Sequence, residues 1–358
     1  MKPTFFLAAG VVLMLAFVLV LGTAAAQPAN PCDPAYVGRT GKIIRVSPTG
    51  VDDTANIQCA FDWANDRGPG MTVQLQPGTF HTAQIVVIDF HGAFKGSGRD
   101  HTTLFNLPDL LVIPSITVPP SPENPWPSLI VFIDSDVDLS NLAIRIIGDS
   151  PVTEWFIGDF GPLRQFAQAI VVSGTESHFN VSHISIEGEH SSTSPLIYNV
   201  YNGIYYQGYV TATSIDFLPL SGSYTVKNSN FKSIVWATPA YNIIDAQVVS
   251  SHNTYSDVVW AMDVANTVNS SVKIFNNRML GMIGGGVQLW NDMLPENLNT
   301  DFLIRNNTIT VPIGIDLVQM MDAESTCLIK VNNLKGVTDT PINVGPGAEA
   351  CVLKNNRE

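Results

Sequence analysis

Apolar and polar residues recur in one order along most of this chain. When Asn141, His183, Asn228, His252, Asn276, Asn306, Asn332 and Asn355 are aligned, the residue four places earlier is apolar each time: Val137, Phe179, Tyr224, Val248, Val272, Phe302, Leu328 and Cys351. Two places earlier stand Leu139, Val181, Val226, Ser250, Ile274, Ile304, Lys330 and Leu353, of which most are apolar. Three places after the first six anchors come Ile144, Ile186, Phe231, Tyr255, Met279 and Ile309. Alternating inward and outward residues mark a short strand, and the polar interruption marks a sharp bend into the next one. The anchors lie 42, 45, 24, 24, 30, 26 and 23 residues apart. The later spacings suit one coil of a solenoid, in which each coil buries its apolar face only against its neighbours. The two long gaps hold either an extra coil or insertions, expected at 147–167 and 190–222, with another long loop at 107–128.

The anchors explain themselves physically. A buried turn amide can hydrogen-bond the same group in the coils above and below, at the strand spacing of about 4.8 Å. Five positions after an anchor are also Asn (Asn253, Asn277, Asn307, Asn333 and Asn356), and Asn tolerates the left-handed turn conformation. The anchors therefore read as structural, with His183 and His252 as buried turn groups.

A second strand recurs later in each coil: Ala261-Met262-Asp263-Val264, Gly286-Val287-Gln288-Leu289, Gly314-Ile315-Asp316-Leu317 and Pro341-Ile342-Asn343-Val344. Met262, Val287, Ile315 and Ile342 point inward, so by alternation Asp263, Gln288, Asp316 and Asn343 form one outward column. Asp263 and Asp316 then stand two coils apart, roughly 10 Å between backbones. That separation suits paired carboxylates, one protonating a leaving oxygen and the other activating water. Trp290 falls on the same face, where its ring could pack on a sugar, with Gln288 and Asn343 as further binding groups. A polar outer face with scattered acids is the alternative reading of the same column.

Residues 48–105 contain Asp52-Asp53-Thr54-Ala55-Asn56-Ile57-Gln58-Cys59-Ala60, then Val73-Gln74-Leu75-Gln76-Pro77-Gly78-Thr79-Phe80, then Phe94-Lys95-Gly96-Ser97-Gly98-Arg99-Asp100 with Thr103. Together these segments resemble the opening of the pectate-lyase superfamily. The resemblance implies a capping helix within about 48–68, then the first strand, then a tight corner. The fold expected for 27–358 is therefore all-β, a single right-handed parallel β-helix with a short N-terminal capping helix. Ile57, Ala60, Phe61 and Ala64 form an apolar face that can cover the open end of the stack. The resemblance is specific for fold and not for reaction, since such openings occur in lyases, hydrolases, epimerases and phage tail proteins.

Met1 and Lys2, the apolar run Phe5–Gly22 and Ala24-Ala25-Ala26 have the order of an export signal over 1–26, so a secreted location, extracellular or periplasmic, is expected. In an oxidising compartment Cys32, Cys59, Cys327 and Cys351 would pair as Cys32–Cys59 and Cys327–Cys351. The net charge is −13, or −14 once Lys2 leaves with the signal. Such acidity disfavours nucleic acid and anionic membrane as partners, and a monomer working on polysaccharide is expected.

Remaining motifs carry less chemistry. Asp134, Asp136 and Asp138 fall on one face of a strand and would take Ca²⁺ if they bind a metal; no motif demands another cofactor. Glu187, Glu189 and His190 form a possible acid–base group. Asn299-Thr300-Asp301 matches one hydrolase motif without its companions and reads as a turn. Lys273 and Arg305 point outward on the sheet before the anchor turn. The leading expectation is a polysaccharide hydrolase or lyase, and the alternative is a non-catalytic glycan-binding or surface protein.

Overall fold

The computed structural model describes residues 31–107, 128–148, 154–158, 161–164, 168–191, 194–207, 209–210, 217–218, 220–281, 284–290, 298–318, 324–345, 347–349 and 351–357. The chain winds through three short strands per coil, and each strand pairs in parallel with its counterpart one coil on. A first sheet leads to the anchor corner, through Met71–Leu75, His91–Lys95, Asp136–Ser140, Ser177–Ser182, Leu220–Lys227, the end of Asn230–Ser251, Ser271–Phe275, Asp301–Arg305, Thr326–Lys330 and Val352–Lys354. A second sheet follows the corner, from Gly78–Thr82 to Thr308–Thr310. The third comprises Ile85–Ile88, Ser128–Ile133, Gln168–Ser173, Ile204–Gln207, parts of Asn230–Ser251 and Thr254–Val268, then Gly285–Trp290, Ile313–Leu317 and Thr340–Val344. This is the expected parallel β-helix.

Inward residues of the three sheets fill the core in stacked layers. Phe132, Phe179, Tyr206 and Tyr224 follow one another up the axis, with centroid separations of 5.3, 6.1 and 5.2 Å. Each such buried ring contributes about 2–3 kcal/mol through area removed from water. The helix Thr54–Arg67 closes the N-terminal end, burying Ile57, Ala60, Phe61, Trp63 and Ala64. Phe61 sits edge-on to Phe90, Phe94 and Phe132. The fully buried Asp53 carboxylate accepts from the backbone N–H of Thr49 and His81, tying the helix start to the first coils. Cys32–Cys59 joins the chain start to this helix, and Cys327–Cys351 joins the last two coils of the first sheet.

At the anchor corner the structure corrects the expected roles. Asn141, His183, Asn228, His252, Asn276 and Asn306 hold φ between 52° and 60°. That left-handed step turns their side chains outward, so His183 and His252 are exposed rather than buried. The buried ladder stands one residue later. Asn253, Asn277, Asn307, Asn332 and Asn356 each accept, through Oδ1, a backbone N–H from one coil below, at 2.9–3.0 Å. Their Nδ2 groups donate to the carbonyls of Val226, Ser250, Ile274, Ile304 and Ile329. In one coil the anchor was misplaced: Val331, with φ 57°, takes the left-handed position, and Asn332 belongs to the ladder.

The 42- and 45-residue gaps are single coils with insertions, since Leu139 pairs with Val181 and Phe179 with Tyr224 directly. Within 147–167, Glu154–Gly158 pairs antiparallel with Gly161–Arg164. The span 190–222 is not all insertion. It holds two small antiparallel hairpins, and between them Ile204–Gln207 is a regular strand of the third sheet. The stretch 108–127 lies outside the described residues.

Candidate functional site

The outer face of the third sheet carries the expected column in register: Pro239, Asp263, Gln288, Asp316 and Asn343 are partners in successive coils. Behind them Met262, Val287 and Ile315 are buried in the core. Strand alternation thus aims both carboxylates away from the core, yet neither lies open. Asp263 is 1% exposed and Asp316 8%.

Their neighbours account for that burial. Trp290 Nε1 donates to Asp263 Oδ1 at 2.5 Å, and the Tyr241 hydroxyl donates to Asp263 Oδ2. Asn343 Nδ2 donates to Asp316 Oδ1 at 2.8 Å, and Gln288 Nε2 to Oδ2 at 3.3 Å. One coil pair therefore holds a carboxylate between two aromatic donors, and the next holds one between two amides. The aromatic groups continue down the same face. Tyr241 meets Trp290 edge-on at 5.9 Å and Tyr205 at 5.5 Å. Tyr205 packs with Val131, Ile133 and Val171 as an apolar cluster on the outer side of the sheet, separate from the core. Burial, reinforced by the Asp263 charge, raises the Tyr241 hydroxyl pKa well above 10 and raises that of Tyr201 too. Both stay protonated donors at any ordinary pH. The face thus grades from apolar and aromatic in the middle coils to carboxylate and amide in the last ones.

Every residue expected at this site is brought together. Tyr241 was not foreseen, although it lies 24 residues before Ala265, its register partner, one coil on. Within 190–222, Tyr205 joins this face and Tyr206 points into the core.

Two other clusters are corrected. Asp134, Asp136 and Asp138 do not share a face as a metal site. Asp134 sits in a left-handed turn outside the strand, where it accepts from Thr175 N, while Asp136 binds His91 Nδ1 at 2.8 Å and Asp138 accepts from Asn180 Nδ2. Among the described residues, no three His, Cys, Asp or Glu are placed to hold a metal ion. Glu187, Glu189 and His190 likewise separate. Glu187 bridges Arg145 and Lys232, Glu189 accepts from Gly148 N, and His190 Nε2 meets Asp257 at 2.7 Å. Asp257 also accepts from Ser233 and Tyr198, and it was not anticipated because it comes from a coil 67 residues on. Asn299-Thr300-Asp301 is the turn expected, with Asn299 in the left-handed conformation.

No family model matches the chain, and no curated protein matches it. Among solved structures, ORF18 of Geobacillus virus E2 is similar at 10% identity and a TM-score of 0.37, over 99% of this chain and 64% of that one. This chain therefore spans less than two thirds of the viral protein. A family 28 exopolygalacturonase of Yersinia enterocolitica is similar at 12% identity and TM-score 0.31, over 89% of this chain and 79% of the other. The A-module of the mannuronan C-5 epimerase AlgE6 of Azotobacter vinelandii is similar at 14% identity and TM-score 0.28, over 86% and 96%. No helix among the described residues is long and apolar enough to cross a membrane.

Proposed function

We propose that this is a secreted carbohydrate-active protein that holds a polysaccharide along the outer face of the third sheet and hydrolyses it with Asp263 and Asp316. The observation that carries the reading is the pair of nearly buried carboxylates on an outward column beside Tyr241 and Trp290. Burying a carboxylate is costly, and the outer face of a solenoid does not require it for folding. The two disulfides fit an oxidising compartment.

Sugar rings would lie against the aromatic edge, with Gln288 and Asn343 contacting hydroxyls. Two coils of strand spacing, roughly 10 Å between backbones, leave room for a glycosidic bond and a water between the carboxyl groups. One carboxylic acid gives its proton to the leaving oxygen as the carbon–oxygen bond breaks. The other carboxylate takes a proton from the water that adds to the anomeric carbon from the opposite face.

A second reading, glycan binding without turnover, is favoured by the donors already on both carboxylates. Tyr241 and Trp290 occupy Asp263, and Gln288 and Asn343 occupy Asp316.

The test is depolymerisation of neutral and uronate polysaccharides by the mature protein, read as new reducing ends and as unsaturated uronate absorbance, with and without Ca²⁺. Hydrolysis predicts reducing ends without unsaturation, and a drop of about 100-fold or more in Asp263→Asn and in Asp316→Asn. Turnover that survives both substitutions would place the chemistry elsewhere. Binding without turnover, weakened in Trp290→Ala, would make the protein a glycan-binding module.

A further inference from the structure

The chain has 18 Lys and Arg against 31 Asp and Glu, and seven of the 18 lie on one edge. At the end of the first-sheet strands, just before the anchor corner, the register column reads Lys227, Ser251, Phe275, Arg305, Lys330 and Lys354. The next outward column on that sheet reads Thr225, Val249, Lys273, Leu303, Leu328 and Val352. Across the corner the first outward column of the second sheet reads Asn230, Thr254, Arg278, Thr308, Asn333 and Arg357. These three adjacent columns contain basic residues and no Asp or Glu.

Arg305, Lys330 and Lys354 are direct register partners in three consecutive coils, about 4.8 Å apart. Like charges placed opposite each other in a sheet repel and destabilise it. No carboxylate among the described residues makes an ion pair with any of the three; the pairs present involve His91, Arg145, His190 and Lys232. The Arg305 guanidinium lies over the Phe275 ring at 5.3 Å, and its Nε is buried without a hydrogen-bond partner. The plane is held in place on an aromatic face, as a preorganised anion-binding group would be.

We propose that this edge binds an acidic polysaccharide, with Arg305, Lys330 and Lys354 as its centre and Lys227, Lys273 and Arg278 around it. A run of cations along successive coils matches a polymer whose carboxylates also recur along a line. It relieves the like-charge repulsion that the free protein carries. An anionic glycan would be attracted here while the acidic remainder of the molecule repels it, which fixes where it docks. The surface runs along the first sheet and over the corner into the second, and is separate from the Asp263–Asp316 face on the third, so it stands whether or not that face is catalytic.

The full mature chain would be titrated with polygalacturonate, with uncharged dextran and with duplex DNA, at low and high NaCl. The expected result is polygalacturonate binding that weakens steeply with salt, and that falls about tenfold or more in the triple variant Arg305→Gln, Lys330→Gln, Lys354→Gln. The triple variant should keep or raise the thermal midpoint, because it removes repulsion. Polygalacturonate affinity unchanged in that variant overturns the proposal. Equal affinity for DNA overturns the assignment to acidic polysaccharide, and salt-sensitive self-association of the free chain, abolished in the variant, would instead assign the edge to an acidic surface on a second copy. Lys227→Gln with Lys273→Gln gives a second, milder variant: a smaller loss of polygalacturonate binding is expected, and no loss counts against the proposal.

Discussion

At single residues the corner geometry decides more than residue type. Val331 occupies a left-handed position that Asn or His holds in the equivalent corners. A β-branched side chain there is a true outlier, at a cost of about 1–2 kcal/mol. Val331→Asn should therefore raise the thermal midpoint, by an amount equivalent to about 1 kcal/mol, and an unchanged or lower midpoint in calorimetry would refute the strain. His91 offers a pH-dependent counterpart. Hydrogen bonds that its ring N–H groups donate to the carboxylates of Asp89 and Asp136 raise its pKa above 6.5. With the folded pKa above the unfolded one, its stabilisation is complete below about pH 6.5 and is lost as pH rises through the folded value. The midpoint gap between wild type and His91→Gln should be largest near about pH 5.5 and close by about pH 9; a gap that widens with pH would contradict this.

At the scale of elements, each strand is too short to stand alone and is held by the coil on either side. Among the described residues, the first-sheet strand Val352–Lys354 pairs only with Thr326–Lys330, and Val352 and Leu353 are about half exposed. Cys327–Cys351 is the covalent tie at that end. Replacing both cysteines with Ser should destabilise the terminal coils by about 3 kcal/mol through the freed chain entropy of a loop of this length. Hydrogen exchange should then quicken at 326–330 and 352–354 while the middle coils stay protected, as expected for a solenoid that unfolds from its ends. Uniform quickening along the chain would instead mean that the coils unfold as one unit. The N-terminal end differs, because Thr54–Arg67 covers it and Asp53 ties the helix to the coils.

For the molecule as a whole, periodicity carried most of the fold. The apolar register and the Asp263–Gln288–Asp316–Asn343 column were legible because a strand alternates with period two and a solenoid repeats by coil, so sequence position maps almost directly onto space; the capping helix followed from the resemblance at 48–105, and both disulfides from the even number of cysteines in an oxidising compartment. The anchor roles came out one residue off, since a left-handed φ reverses which neighbouring side chain faces inward and no letter records that rotation. Asn332 was misread for a related reason: Asn332-Asn333 looks like the Asn pairs of other corners, while the turning residue is Val331. The carboxylate trio Asp134, Asp136 and Asp138 satisfied strand alternation on paper, but a turn at Asp134 breaks the strand. Contacts between coils separated by insertions were invisible in the sequence, as with His190 and Asp257. What the sequence determined by itself was the repeat and the order of outward residues within it, because both are local and periodic. Only the tertiary structure decided how buried those residues are and what they bond to, because burial and hydrogen bonding depend on which side chains from neighbouring coils close over them.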